Sequence, residues 1–425
     1  MKSDELKKAF LNGEHDELLK DIYVDDTVIL HQRDRYVKAI TKFEDLYGQR
    51  DIEIYSAPGR TEVCGNHTDH QRGQVLAASV NLDVIAICSK TDDDIIKIVS
   101  DSYDIKPVNV KEPEKKDEEE GTSEALIRGI IARLSADGHK TGGFVSFMTS
   151  EVLVGAGLSS SAAFEVAVGT ILSGIYNDMK LSPVYIAQIS QYAENVYFGK
   201  PSGLMDQMAS SVGCLVNIDF KDPKDPVVNR VDVNFEDFGH SLCIVDTKGD
   251  HSDLTDEYAH VPEEMKKVAA FYGRDFLREV DPEAFYADIP KIRKKTGDRG
   301  ILRAIHFFAD HERVGKQVEA LKKGDFERFK ELVTESGDSS YKYLQNVFAV
   351  TDVQNQSVSI GLALTERLLK GKGAYRVHGG GFAGTIQAFV PNDLVDTYRE
   401  EIEKCFGKDT CHVLKIRKYG GMKVL

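Results

Sequence analysis

The sequence predicts an α+β fold in two domains, on the evidence of chain length, a mixture of strand and helix patterns, and one break in composition. The chain has 425 residues, and at about 150 residues per domain that length suits two domains. Strand and helix patterns alternate irregularly, which favours two α+β layers over one doubly wound sheet. Charged residues and prolines crowd residues 220–237, so we expect an N-terminal domain of residues 1–225 and a C-terminal domain of residues 226–425.

The first half of the chain alternates between the two patterns. Apolar residues at helical spacing stop at Gly48, a natural end for a helix. A short alternating strand follows at residues 52–55, and we expect it to end at the Ala57-Pro58-Gly59 sequence. The later patterns predict one or two buried strands, a helix, a strand and two more helices, at residues 75–88, 124–138, 144–148, 162–176 and 184–198.

The second half carries the same mixture. Strands are predicted at residues 242–246, 375–377 and 385–390, with several helices before residue 344 and another at residues 360–368. This repetition of strands and helices beyond the composition break is the reason to expect a second α+β domain.

Composition and charge exclude several classes of protein. The 54 lysines and arginines against 69 aspartates and glutamates give a net charge of −15, which argues against nucleic-acid binding. The sequence has no apolar run long enough to cross a membrane and no apolar stretch behind its basic N-terminus. The six cysteines are scattered without CxxC pairs, as in a reducing compartment. We therefore expect a cytoplasmic monomer that binds small molecules and has no membrane or nucleic-acid partner.

A glycine- and serine-rich turn precedes the buried helix predicted at residues 162–176. Glycines let the backbone approach a ligand, and serines at a helix start lie where free N–H groups and the helix dipole attract anions. The turn consists of Gly155, Ala156, Gly157, Leu158, Ser159, Ser160 and Ser161. A phosphate-binding loop and a plain capped turn both fit it, whereas a Walker-type loop is excluded because the chain has no GxxxxGK[ST] sequence.

Polar side chains are crowded between two apolar strands at residues 57–70. Arg60, His67, Asp69 and His70 fall within this segment, and burying them is costly unless they bind a ligand or one another. Hydrogen bonding to a polyhydroxyl substrate and binding of a transition metal both fit the residue types. The spacing is not that of a known zinc site.

A lone acid stands in an apolar segment farther along the chain. Asp206 lies between Met205 and Met208, after a helix expected to end at Gly199. An isolated carboxylate in such surroundings needs a compensating arginine or a ligand. The pattern therefore fits a catalytic base and a structural ion pair equally well.

A glycine run at residues 379–384 formally matches GxGxxG. The following residues predict a strand, whereas the dinucleotide-binding fingerprint requires a helix there. The run is therefore expected to allow close approach of a phosphate or of another part of the chain.

In order and spacing, these motifs resemble those of the GHMP small-molecule kinases, and within that family the galactokinases. Residues 57–76 resemble the sugar signature, residues 155–163 the phosphate loop, residues 201–207 the catalytic-acid segment and residues 377–384 the glycine motif. The resemblance implies the two-domain GHMP kinase fold, with an N-terminal domain of the ribosomal-protein-S5-like type and a C-terminal α+β domain. It also implies that ATP and sugar meet in the cleft between them, where the γ-phosphate passes to the C1 hydroxyl of galactose.

The resemblance also implies roles for individual residues. Asp206 matches the catalytic base, and Arg60 matches the arginine that keeps this base ionised and steadies the phosphate. Ser160 and Glu194 match the Mg²⁺ ligands, and the turn from Gly155 to Ser161 matches the residues that hold the ATP phosphates. The sugar-contacting positions are matched by Asn66, His67, Asp69 and Tyr258.

Two residues of the sugar signature depart from the galactokinase pattern. Asn66 stands where that pattern has glutamate, and His70 stands where it has tyrosine. We expect Asn66 to face the C6 end of the sugar and to make the enzyme tolerant there. A sister sugar-1-kinase acting on galacturonate, N-acetylgalactosamine or arabinose is the first alternative, and a sugar-binding regulator without catalysis is the second.

Overall fold

The structure, a computed structural model, describes residues 1–101, 103–153, 157–249 and 254–425. Its helices, in chain order, are α1 (Ser3–Leu11), α2 (Asp16–Tyr23), α3 (Ile29–Tyr47), α4 (Ser123–Ala136), α5 (Ser160–Asn177), α6 (Pro183–Tyr192), α7 (Met205–Val212), α8 (Thr255–Phe271), α9 (Pro282–Lys322), α10 (Phe326–Ser339), α11 (Ser357–Leu369) and α12 (Val395–Phe406). Helix α9 is interrupted at Gly297, whose φ is 77°.

The strands form two sheets. They are β1 (Glu53–Cys64), β2 (Gln74–Lys90), β3 (Ile95–Ser100), β4 (Val108–Asn109), β5 (Phe144–Ser150), β6 (Leu215–Asp219), β7 (Val227–Val231), β8 (His240–Asp246), β9 (Ala374–His378), β10 (Thr385–Pro391), β11 (Cys411–Leu414) and β12 (Met422–Lys423). The larger sheet has the order β12-β1-β2-β5-β3-β4, with β6 paired to β2 and β7 paired to β6. The smaller sheet has the order β11-β8-β10-β9. Helices and strands thus form the expected α+β arrangement.

The first strand is longer than its sequence pattern predicts. We expected a strand at residues 52–55 ending at Pro58, but β1 continues to Cys64 and pairs with β2 along its length. The pairing register shifts between Pro58 and Arg60, and proline is tolerated in a strand at such a bulge. This extension includes Arg60, which is buried.

Buried polar groups join the second sheet to strand β1. Arg376 of β9 forms an ion pair with Glu62 at 2.8 Å and donates to the Val63 carbonyl oxygen. Gln387 of β10 donates to the Thr61 hydroxyl and to the Glu62 carbonyl oxygen, at 2.8 and 3.0 Å. Because these groups are buried and paired, they fix the smaller sheet against the strand that carries the sugar signature.

Two strands from beyond residue 225 belong to the larger sheet. Strand β7 pairs with β6, and β12 near the end of the chain pairs with β1. The division at residues 225 and 226 remains a prediction, and the pairing favours counting both strands with the first domain. No helix within the described ranges is long and apolar enough to cross a membrane.

Candidate active site

Arg60 and Asp206 form a bidentate ion pair where the larger sheet meets helix α7. The Arg60 Nε and Nη2 atoms each lie 2.7 Å from an oxygen of the Asp206 carboxylate. Only 7% of the Arg60 side chain is exposed, whereas 27% of the Asp206 side chain is open to solvent. The carboxylate is therefore held from one side and accessible from the other.

The charge of Asp206 is set by this pairing. Burial alone would raise the pKa of the carboxyl, but Arg60 and the Ser159 hydroxyl lower it from 3.8 to about 2. Because the folded-state pKa is depressed, the group is ionised at neutral pH and gains its proton only as the pH falls towards 2. Asp206 is thus a carboxylate at neutral pH, which can accept a proton or a hydrogen bond from a hydroxyl group.

We expect the acid side of the pH–rate profile to show no titration of Asp206 between pH 4.5 and 8. Replacing Arg60 with methionine removes the charge that lowers the pKa and leaves burial to raise it, so an acid limb should enter this range. The profile of kcat/KM for both proteins tests this expectation. An acid limb at the same pH in both would show that Arg60 does not control the base.

The glycine- and serine-rich turn lies directly against this ion pair. The Arg60 backbone N–H donates to the Leu158 carbonyl oxygen at 3.1 Å, and its guanidinium donates to the Gly157 carbonyl oxygen. The Ser159 hydroxyl donates to the Asp206 carboxylate. Gly155 and Ala156, which the sequence also assigns to this turn, lie outside the described residues. The described part places the start of helix α5 next to Asp206.

Glu194 lies at the same helix start, within a π-helical turn at Ala193–Phe198 that follows α6. The Ser161 hydroxyl is 3.4 Å from its Oε1, and Ser160 is the first residue of helix α5. The amide of Gln207 donates to Glu194 at 2.8 Å and to Glu165 at 3.0 Å. A π-helical turn often marks a functional position, and here it brings a carboxylate to the end of a helix that attracts anions.

The sugar signature meets the loop that precedes α7. A Cβ atom at Gly203 would overlap the Asp69 carboxylate, so Gly203 and Asp69 are in direct contact. Asp69 Oδ1 accepts from the backbone N–H of His70 at 2.9 Å. The carboxylate of Asp69 thus lies against the segment that carries Asp206.

The glycine motif contacts two of the residues assigned to the sugar. His67 Nε2 lies 3.1 Å from the Gly380 carbonyl oxygen, and the Tyr258 hydroxyl donates to the Gly381 carbonyl oxygen at 3.1 Å. Burial, with a smaller effect from His70, lowers the pKa of His67 to about 3, so this imidazole is neutral. As expected, β10 follows the glycine run, and Tyr258 and Asn346 approach Gly380 and Gly381 closely.

The structure surrounds Asn66 with protein groups, and its contact with the C6 end of the sugar stays a prediction. Its side chain is fully buried, and its amide nitrogen donates to Glu62 Oε1 at 3.0 Å and to the Gly379 carbonyl oxygen at 2.6 Å. The amide oxygen accepts from Asn346 Nδ2 at 2.7 Å. Through these partners Asn66 joins the sugar signature to the glycine motif.

Sequence reasoning missed two polar residues near Glu194. Gln207 holds two carboxylates with one amide, and Lys200 forms an ion pair with Glu194 at 2.8 Å. Their positions in the sequence could have indicated them. Lys200 directly follows the helix stop at Gly199, and Gln207 directly follows Asp206.

Comparison with known proteins matches the same segments. The model of the galactokinase galactose-binding signature matches residues 41–90, and the model of the GHMP kinases N-terminal domain matches residues 125–214. A galactokinase of Streptomyces coelicolor is 30% identical over 367 residues, covering 86% of this chain and 91% of that protein. A galactokinase of Glaesserella parasuis is 29% identical over 381 residues, covering 87% of this chain and 93% of that protein.

Solved structures share the fold. Lactococcus lactis galactokinase complexed with galactose superposes with a TM-score of 0.77 at 23% identity, covering 90% of this chain and 98% of that one. Methanococcus jannaschii mevalonate kinase superposes with a TM-score of 0.60 at 16% identity, covering 86% of this chain and 98% of that one. The architecture is therefore the GHMP kinase fold. Taken with the sequence identity to relatives over most of their length, it shows that the chain belongs to the galactokinase family.

Proposed function

We propose that this protein transfers the γ-phosphate of ATP to the C1 hydroxyl of galactose, giving galactose 1-phosphate and ADP. The observation that carries the proposal is the Arg60–Asp206 pair, which contacts the serine-rich turn on one side and faces the Asp69 segment on the other. A nucleotide phosphate and a sugar hydroxyl can therefore meet at one carboxylate.

Phosphoryl transfer depends mainly on positioning and on neutralising charge. The first turn of α5 supplies free N–H groups and a positive dipole end for the phosphates, next to the described residues Gly157, Leu158, Ser159, Ser160 and Ser161. Asp206 would orient the C1 hydroxyl and take its proton as the new bond forms. Because its pKa is low, we expect the proton to move late, after the phosphoryl group has largely left ATP.

Asn66, His67, Asp69 and Tyr258 are the proposed sugar-binding residues. Asp69 lies beside the loop of Asp206, whereas His67 and Tyr258 are anchored to the glycine motif. A carboxylate, an imidazole and a phenol together offer the donors and acceptors that a polyhydroxyl ligand needs.

Mg²⁺ is the proposed metal, held by Ser160 and Glu194 together with phosphate oxygens. A hydroxyl and a carboxylate are the hard oxygen ligands that this ion prefers, and both lie at the first turn of α5. In the described residues no group of three His, Cys, Asp or Glu side chains could hold a metal. That suits an ion which takes most of its ligands from nucleotide and water, and which neutralises phosphate charge when bound.

ATP consumption over a panel of sugars tests the proposed substrate. Galactose should give the highest kcat/KM, ahead of galacturonate, N-acetylgalactosamine and arabinose. A higher value for any of the other three would assign the chain to the sister sugar-1-kinases. Absence of turnover on every sugar, with ATP and galactose still bound, would favour the sugar-binding regulator.

We expect Ser160→Ala and Glu194→Gln each to raise the Mg²⁺ concentration needed for half-maximal activity by about tenfold. The first removes an oxygen ligand, and the second replaces a charged oxygen ligand by a neutral amide oxygen. The KM for galactose should change less than twofold. Magnesium titrations at saturating ATP measure the effect, with Ser182→Ala, a cap of helix α6, as the matched serine control. Titration curves that coincide with the wild type for both variants would place the metal elsewhere.

A further inference from the structure

Lys200 places a positive charge on the carboxylate that we assign to the metal. It follows the π-helical turn, and its Nζ lies 2.8 Å from Glu194 Oε1. Its side chain is 56% exposed, whereas that of Glu194 is 3% exposed. The ammonium group thus reaches a buried carboxylate from the solvent side.

The surroundings of Glu194 keep Lys200 charged. Burial alone would lower the pKa of the ammonium, but the carboxylates of Glu194, Asp206 and Glu165 raise it above its usual range. Ser202 and Gln207 donate to the other oxygen of Glu194, so Lys200 supplies the cation on the Oε1 side. A carboxylate buried this deeply needs such a partner.

The same oxygen faces the start of helix α5. The Ser161 hydroxyl, next to Ser160, lies 3.4 Å from Glu194 Oε1. A divalent cation held by Ser160 and Glu194 would therefore approach the position that Lys200 Nζ occupies. Because two cations close to the same carboxylate oxygen repel each other, the lysine and the metal should compete for Glu194.

We propose that Lys200 is a phosphate-binding residue of this kinase, which neutralises Glu194 in the nucleotide-free protein and moves to the nucleotide phosphates when a divalent cation takes its place. The inference rests on the proposed function, because it assumes that ATP and a metal bind at α5. Lysine suits this role because its charge sits on a flexible stem and can change partner with little movement of the backbone. Phosphate oxygens at the start of α5 would lie close to the released ammonium.

The test is the variant Lys200→Met. Its affinity for Mn²⁺ should rise, whereas its apparent affinity for ATP should fall. Binding of Mn²⁺ alone, followed by electron paramagnetic resonance without nucleotide, should tighten about fivefold because Glu194 loses its competitor. The KM for ATP should rise about tenfold because a charge-assisted hydrogen bond to phosphate is lost. Lys180→Met is the matched control, since Lys180 is exposed, pairs with Asp178 and should change neither value.

If Lys200 has a purely structural role, Lys200→Met should bind Mn²⁺ more weakly and also show a higher KM for ATP. That result would overturn the proposal. Unchanged Mn²⁺ binding, or an unchanged KM for ATP, would overturn it too. Lys200→Arg should keep the KM for ATP within about threefold of the wild type, because arginine also binds phosphate. Failure of the proposed function would show separately, as wild-type protein that binds ATP and Mn²⁺ but phosphorylates no sugar.

Discussion

Replacing Asp206 with asparagine should lower kcat by about 10²–10⁴-fold, the range that a positioned general base contributes. Asparagine has the same shape but cannot take the proton of the C1 hydroxyl. Its amide can still accept a hydrogen bond from Arg60, so we expect the protein to fold and to bind galactose within about threefold of the wild type. Steady-state kinetics and galactose titration of the same preparation measure both effects.

Asp219→Asn is the matched control for this experiment. Asp219 also pairs with an arginine, Arg278, at 2.9 Å, and it is about as exposed as Asp206, at 23% against 27%. It makes no contact with Arg60 or Asp206 in the described residues, so its kcat should stay within twofold of the wild type. A kcat for Asp206→Asn as high as that of the control would assign Asp206 to a structural ion pair.

The second large effect is expected on stability, from Asn66→Glu. The Asn66 amide donates to Glu62 and to the Gly379 carbonyl oxygen in a fully buried position. A glutamate there loses those donors and places a second carboxylate beside Glu62. Two lost hydrogen bonds at about 1 kcal/mol each, with repulsion added, should reduce the free energy of unfolding by about 3 kcal/mol.

Urea unfolding of a double-mutant cycle separates the causes. Glu62→Gln alone and Glu62→Gln with Asn66→Glu complete the cycle, and the double variant should recover about half of the loss because only one carboxylate remains. Asn66→Gln is the control for side-chain length. If Asn66→Glu is as stable as the wild type and galacturonate turnover disappears, then Asn66 faces C6, as the sequence predicts.

Predictions of site residues from the sequence were most accurate where the residue types within one short segment indicate a function. Asp206, Arg60 and the serine-rich turn were recognisable because a lone acid, a buried arginine and serines at a helix start each need a partner. The structure brings these three together, as the spacing of motifs in a kinase of this family implies. Strand and helix types were predictable for the same reason, since apolar periodicity is local.

The sequence was least informative where distant segments decide the outcome. Strand β1 runs through Pro58 because pairing with β2 and a bulge outweigh the local turn signal. Asn66 is buried because Gly379 and Asn346, about 300 residues later in the chain, supply its partners. No local pattern around residue 66 indicates those contacts. The same limit applies to Lys200, whose ion pair depends on the π-helical turn that presents Glu194.

The position of the transferred phosphate tests the central claim most directly. Wild-type protein incubated with galactose, ATP and Mg²⁺ should give a single sugar product, and NMR should show phosphorus coupled to the proton on C1. Phosphorus coupled to the protons on C6, or ATP hydrolysis without any sugar phosphate, would contradict transfer to the anomeric hydroxyl at Asp206.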